Sequence, residues 1–206
     1  MLRRYRLLFT ALCIAVLGCA ATAFAQEMEV QLDPAQTRVD FVLGDVLHTV
    51  HGDFHLKNGI LRFDPQNGGA SGQLTVDATT GESGSNGRDH KMHKQVLESA
   101  TYPDIVFQPQ RVLGTLNPTG SSVMEIEGLM TMHGQTHPMT ASGPVQVNGD
   151  QVTAELRFVV PYQKWGMKNP STLFLRVSDK VEITVHAVGH LTPTVASAAK
   201  AGTTRH

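Results

Sequence analysis

The stretch "SVMEIEGLMTMHGQTHPM", Ser122–Met139, carries the decisive pattern of this chain. Met124, Ile126, Gly128, Met130 and Met132 fall on one face, and Glu125, Glu127 and Thr131 fall on the other. That period of two is the mark of a strand with one wet side and one dry side. "HGQT", His133–Thr136, then reads as a tight hairpin connection with Gly134 and Gln135 in the loop and glycine supplying positive φ. The returning strand adds Met139 to the dry face.

The same alternation runs outward from this hairpin. "TRVDFVL" sets Val39, Phe41 and Leu43 against Arg38 and Asp40. "VTAELRFVV" sets Val152, Ala154, Leu156, Phe158 and Val160 against Thr153, Glu155 and Arg157, and "KVEITVHAV" sets Val181, Ile183 and Val185 against Glu182, Thr184 and His186. Turn signals separate the runs: "KNG" (57–59), "PQNGG" (65–69), "NPTG" (117–120) and "NGD" (148–150). Consecutive antiparallel strands with short turns build a meander, and about eight long ones close on themselves, which removes exposed edges. The pattern predicts an all-β fold: one antiparallel β-barrel or strongly curled sandwich, without linker, repeat or second domain.

"GRDHKMHKQVLESATYP", Gly87–Pro103, breaks the alternation. From Arg88 to Glu98 there is neither Gly nor Pro, Met92, Val96 and Leu97 sit at near-helical spacing, and Ser85 or Asn86 is placed to cap the start. One short helix covering an end of the barrel is expected. The stretch 193–206, "PTVASAAKAGTTRH", is small and polar and reads as a disordered tail.

The first 25 residues have the order of a cleavable secretory signal: basic "MLRRYR", apolar "LLFTALCIAVL", and small residues with Ala23 and Ala25 before Gln26. The apolar run is short for a membrane span. Export to the periplasm is expected. Both cysteines, Cys13 and Cys19, lie in that segment, so the mature chain has no thiol for a disulfide, a metal or a nucleophile. The alternative is a lipoprotein, in which "VLGC" acts as a lipobox and acylated Cys19 is the anchor. Loss of Arg3, Arg4 and Arg6 takes the 17 basic residues to 14 against 18 acidic ones, a net charge of −4. Nucleic-acid binding, which needs clustered Lys and Arg, is set aside.

Enzyme signatures are missing. "GESGS", Gly81–Ser85, lacks the last glycine of G-x-S-x-G, and "GESGSNG" has no following Lys-Ser/Thr and no Rossmann-type unit before it. No catalytic residue and no cofactor is assigned. The histidines are the candidate metal ligands of the chain. His51 and His55 share a strand face with Asp53 but lie about 13 Å from one another. His133 and His137, if Gly134 and Gln135 form the loop, point to opposite faces. His90 and His93 would be neighbours on a helix, with Asp89 beside them and His48 or His51 as a third ligand for zinc or copper. A solvated helix face, with Asp89 favouring the N-terminus and Arg88 paired locally, is the simpler account of the same residues.

Four stretches together resemble the YceI-like family of bacterial lipid- and polyisoprenoid-binding proteins: "HTVHGDFHLKNGILRFDP", "GRDHKMHKQVLESATYPDIVF", "GLMTMHGQTHPM" and "VPYQKWGMKNPSTLFLRVSDKVEITVHAVG". The similarity runs from about Val30 to Leu191, so residues 26–192 are expected to be one YceI-like domain. "QKWGMKNPS" is longer than the segment typical of that family and "HTVHGDFHL" is richer in histidine, which marks a divergent branch. The resemblance implies a lipocalin-like barrel holding a long apolar chain of isoprenoid, quinone or fatty-acyl type, and hence periplasmic transport or sequestration. A histidine-based metal-binding or stress protein is the alternative.

Inward candidates for the lipid wall are Phe41, Phe54, Leu74, Phe107, Met130, Met132 and Phe158, with Leu97 on the lid and Trp165, beside Tyr162 and Met167, at the mouth. Methionine is flexible and polarizable, so a Met-rich wall can follow an irregular chain as well as fill an ordinary core. Plugging the barrel end is an equal reading of Trp165. Transient membrane contact and homodimerisation both stay open.

Overall fold

The structure is a computed structural model and describes residues 26–44, 49–171 and 177–195. Nine strands follow in chain order: β1 (Gln26–Leu32), β2 (Arg38–Gly44), β3 (Thr49–Phe63), β4 (Ala70–Glu82), β5 (Asp104–Leu113), β6 (Ser121–Met132), β7 (Gln135–Asn148), β8 (Gln151–Val160) and β9 (Val181–Val195). Between β4 and β5 the chain forms α1 (Asn86–Lys91), which runs on as one π-helical turn, Met92–Val96. Every strand pairing is antiparallel and the sheet closes through β3–β4.

The nine strands occupy eight positions in the ring. β3 and β9 are long, and the gap between them is filled first by β1 and then by β2, end to end. The break between these two strands, residues 33–37, would orphan backbone groups on β9. Thr37 repairs the ladder: its buried hydroxyl donates to the Val188 carbonyl and accepts from the Val188 N–H, both at 3.2 Å. Asp33 N–H also donates to that carbonyl, at 2.8 Å. Pairing is thus kept where two strands change over.

The alternation in β6 and β7 lands as expected. Met124, Met130, Met132, Met139 and Ala141 are all buried, whereas the intervening Thr140 and Ser142 are exposed. The connecting turn is one residue earlier than expected. Met132 pairs with Gln135, so the loop is His133–Gly134, with φ of 51° and 72°. A two-residue loop with positive φ at both positions fits the twist of the flanking strands. His137 consequently lies opposite Met130 and shares its face.

Two further expectations are adjusted. Ser85 occupies the N-cap of α1 but makes no side-chain cap bond; Asp89 instead reaches back to the Ser83 N–H at 2.9 Å and to the Ser83 hydroxyl. The strand β9 continues through Pro193–Val195, three residues into the stretch read as a tail, because β1 offers a partner there. β8 ends its pairing at His190, so Pro193 sits where β9 has only one neighbour, the position a strand proline tolerates. Residues 196–206, residues 1–25 with the signal and lipobox readings, and His48 lie outside the described residues.

Candidate functional site

The lumen is hollow. An inner chamber of about 180 Å³ is lined only by apolar side chains, among them Leu74, Phe107, Met130, Phe158, Ala141 and Ala187. An outer chamber of about 470 Å³ lies beneath the α1 segment, between Phe41, Leu43, Met92, Leu97, Tyr162 and Met167, with Ser83, Ser85, Arg88 and Lys91 at its margin. Phe54, Met132, Val160 and Ile183 border both chambers and form the waist between them. The combined space falls in the range of ordinary small-ligand cavities, roughly 300–1,000 Å³.

Glycines keep the rings out of the lumen. A Cβ on Gly52 would stand 2.4 Å from the Phe41 ring, one on Gly81 2.4 Å from the Phe54 ring, and one on Gly128 2.7 Å from the Phe107 ring. Each phenylalanine therefore lies against bare backbone on the wall. Phe41 and Phe54 also meet each other, with centroids 5.4 Å apart and planes tilted by 45°. Small residues at inward positions, Ala141, Ala154 and Ala187, leave the remaining width unfilled.

Of the nine residues expected on the lipid wall, Leu74, Phe107, Met130 and Phe158 line the inner chamber, Phe41 and Leu97 the outer one, and Phe54 and Met132 the waist. Trp165 lines neither. Its indole is buried and stacks on the His137 imidazole at 4.4 Å with planes 4° apart, so it plugs the gap between the β8–β9 connection and the β6–β7 hairpin. Alternation puts His137 on the dry face with Met139, but it does not say that Trp165 stacks there. Missed altogether were Met92, which reaches the outer chamber from the lid, and Ala187, whose inward parity in "KVEITVHAV" was available.

Tyr162 anchors the rim. Its hydroxyl donates to the Ser178 carbonyl at 2.6 Å, and burial first, then the nearby Asp179 charge, pushes the phenol up to about 12. It stays a neutral donor throughout the physiological range.

The histidine pair of the lid does not converge on an ion. His93 Nε2 lies 2.9 Å from the Gly81 carbonyl and Nδ1 lies 3.0 Å from the Ser99 hydroxyl. A carbonyl only accepts, which assigns the ring proton to Nε2 and leaves Nδ1 to accept from Ser99. Both nitrogens are thus used, Nε2 to pin the lid to β4 and Nδ1 to hold the connection that follows it, while His90 and His51 are exposed. Among the described residues no three His, Cys, Asp or Glu side chains come together as a metal cluster. Arg88 does pair locally, donating to the Ser83 hydroxyl at 2.9 Å and carbonyl at 2.7 Å.

Comparison with known proteins places this architecture. The family model described as a YceI-like domain matches residues 30–189. A "UPF0312 protein" of Pseudomonas putida is 28% identical over 137 residues, covering 64% of this chain and 69% of its own. Among solved structures, Burkholderia cenocepacia BcnA superimposes with a TM-score of 0.63 at 20% identity, over 76% of this chain and 98% of BcnA. A polyisoprenoid binding domain from Saccharophagus degradans, implicated in plant cell wall breakdown, gives a TM-score of 0.63 at 13% identity, over 79% and 98%.

Proposed function

The chain belongs to the YceI-like domain family, and from that premise we propose that its barrel binds one long apolar lipid chain, of isoprenoid, quinone or fatty-acyl type. The observation that carries this reading is the inner chamber, whose lining contains no polar side chain. Such a space offers nothing to a sugar, a nucleotide or a peptide, and it holds no acid, base or nucleophile for catalysis. A hydrocarbon chain gains about 0.8 kcal/mol per buried methylene there, which supports binding without a polar anchor. The printed description of the Saccharophagus degradans neighbour as a polyisoprenoid binding domain supports the isoprenoid option. The leader reading of residues 1–25 supports the periplasm as the compartment, and hence transport or sequestration of the lipid as the task.

Displacement of a fluorescent polyene fatty acid tests the proposal. Long-chain prenols, quinones and fatty acids should compete, with affinity rising by up to about fourfold for each added methylene until the lumen is full. Absence of probe binding, or competition independent of chain length, would contradict it.

A further inference from the structure

The two ends of the barrel differ in charge. At the lid end, the connections after β4 and β8 carry Arg88, Lys91, Lys94, Lys164, Lys168 and Lys180, all exposed, against Asp89, Glu98 and Asp179. At the opposite end the turns 64–69, 114–120 and 149–150 carry Asp64 and Asp150 and no Lys or Arg. This polarity exists within a chain whose net charge is −1 with its leader. Among the described residues Lys91, Lys94, Lys164 and Lys180 have no carboxylate within ion-pair distance, and Lys168 stands 3.8 Å from Glu98.

The basic end is also the end of the larger, outer chamber. Met92, Val96, Val177 and Val181 border the outer chamber and are only partly buried, so apolar surface and exposed lysines lie around the same opening. A lipid with a long tail is scarcely soluble in water, and a bilayer is the natural reservoir for its exchange with the lumen.

We propose that the lid end docks on anionic bilayer surfaces, with Lys91, Lys94, Lys164, Lys168 and Lys180 facing lipid phosphates and the apolar rim turned toward the acyl chains. The inference rests on the lipid-binding reading above and names the surface with which that site exchanges its ligand. Lysines at an anionic membrane each add to the attraction, and the effect is screened within a Debye length by salt.

Flotation of the mature protein with vesicles tests it. Binding is expected to vesicles of phosphatidylglycerol mixed with phosphatidylcholine, to be absent with phosphatidylcholine alone, and to fall as salt is raised. The triple variant Lys94→Glu, Lys164→Glu, Lys180→Glu should weaken it by at least about tenfold, and the corresponding Lys→Gln set should fall between. Uptake of the polyene probe in vesicle-free solution should be unchanged in both sets, which separates docking from lumen binding. Asp64→Lys at the far end should leave docking as it is. Equal binding to neutral vesicles, undiminished binding of the charge-reversed variant, or competition by inorganic phosphate at matched ionic strength would each overturn the proposal, the last by reducing the lysines to a single-anion site. Failure of the unmodified protein to take up the probe would instead count against the lipid-binding reading.

Discussion

Met130→Asp is expected to abolish probe uptake and to destabilise the barrel by about 3 kcal/mol or more at neutral pH. Met130 is 5% exposed and lies in the chamber whose walls offer no donor. The chamber lining offers a carboxylate there no donor or counter-charge, the cross-strand His137 being stacked on Trp165, and any water the acid draws in displaces the hydrocarbon chain. Burial raises the folded-state pKa of such an acid above its unfolded value. The unfolded chain then loses its proton first as pH rises, so the penalty grows above the ordinary carboxylate range and shrinks on acidification. Denaturant unfolding at two pH values, alongside probe titration, reads both effects. Met130→Leu, which conserves volume and polarity, should keep uptake and stay within about 1.5 kcal/mol of the parent. Uptake undiminished in Met130→Asp would remove Met130 from the wall.

The second large effect comes from Gly52. A Cβ at this position would stand 2.1 Å from the Glu82 backbone oxygen and 2.4 Å from the Phe41 ring. The ring has room to swing into the outer chamber, but the carbonyl belongs to β4, which pairs here through Asp53 and Glu82. Gly52→Ala must therefore part β3 from β4 at the mouth, and a loss of about 3 kcal/mol is expected in denaturant unfolding. Gly44→Ala is the matched control, since among the described residues nothing lies within 4 Å of its added methyl. It should change stability by less than about 0.5 kcal/mol. A similar small change at Gly52 would show that the wall yields more readily than its geometry implies.

Sequence alternation located most of the barrel because each strand has one dry face, and that rule acts on every second residue. It placed Met124, Met130 and Met132 inside, and it placed Glu125 and Glu127 on the other face. It was silent on the joint between β1 and β2, because the Thr37 hydroxyl that completes the β9 ladder acts across 151 positions of the chain. It also lost one residue at the β6–β7 turn. His133 adopts positive φ without being glycine, which a loop starting at Gly134 does not anticipate.

Periodicity assigns faces, and it says nothing about what stands opposite across a lumen. The methionine face was therefore equally compatible with a filled centre and a hollow one. Hollowness comes from pairings between strands: Phe41 over Gly52, Phe54 over Gly81, Phe107 over Gly128, and alanines at inward positions. Trp165 illustrates the same limit. Its loop neighbours Tyr162 and Met167 face the outer chamber, but the indole itself is taken by His137, a contact set by tertiary packing. The extension of β9 through Val195 is a further case, since small polar residues pair in a sheet once β1 presents an edge to them.

Extraction of the native protein bears most directly on the account. The chain, purified without detergent and extracted into organic solvent, should release close to one equivalent of a single-tailed, long-chain lipid by mass spectrometry, and Met130→Asp should release none. A native protein that yields no such lipid, or a variant that carries the same amount as its parent, would contradict a lumen built to hold a hydrocarbon chain.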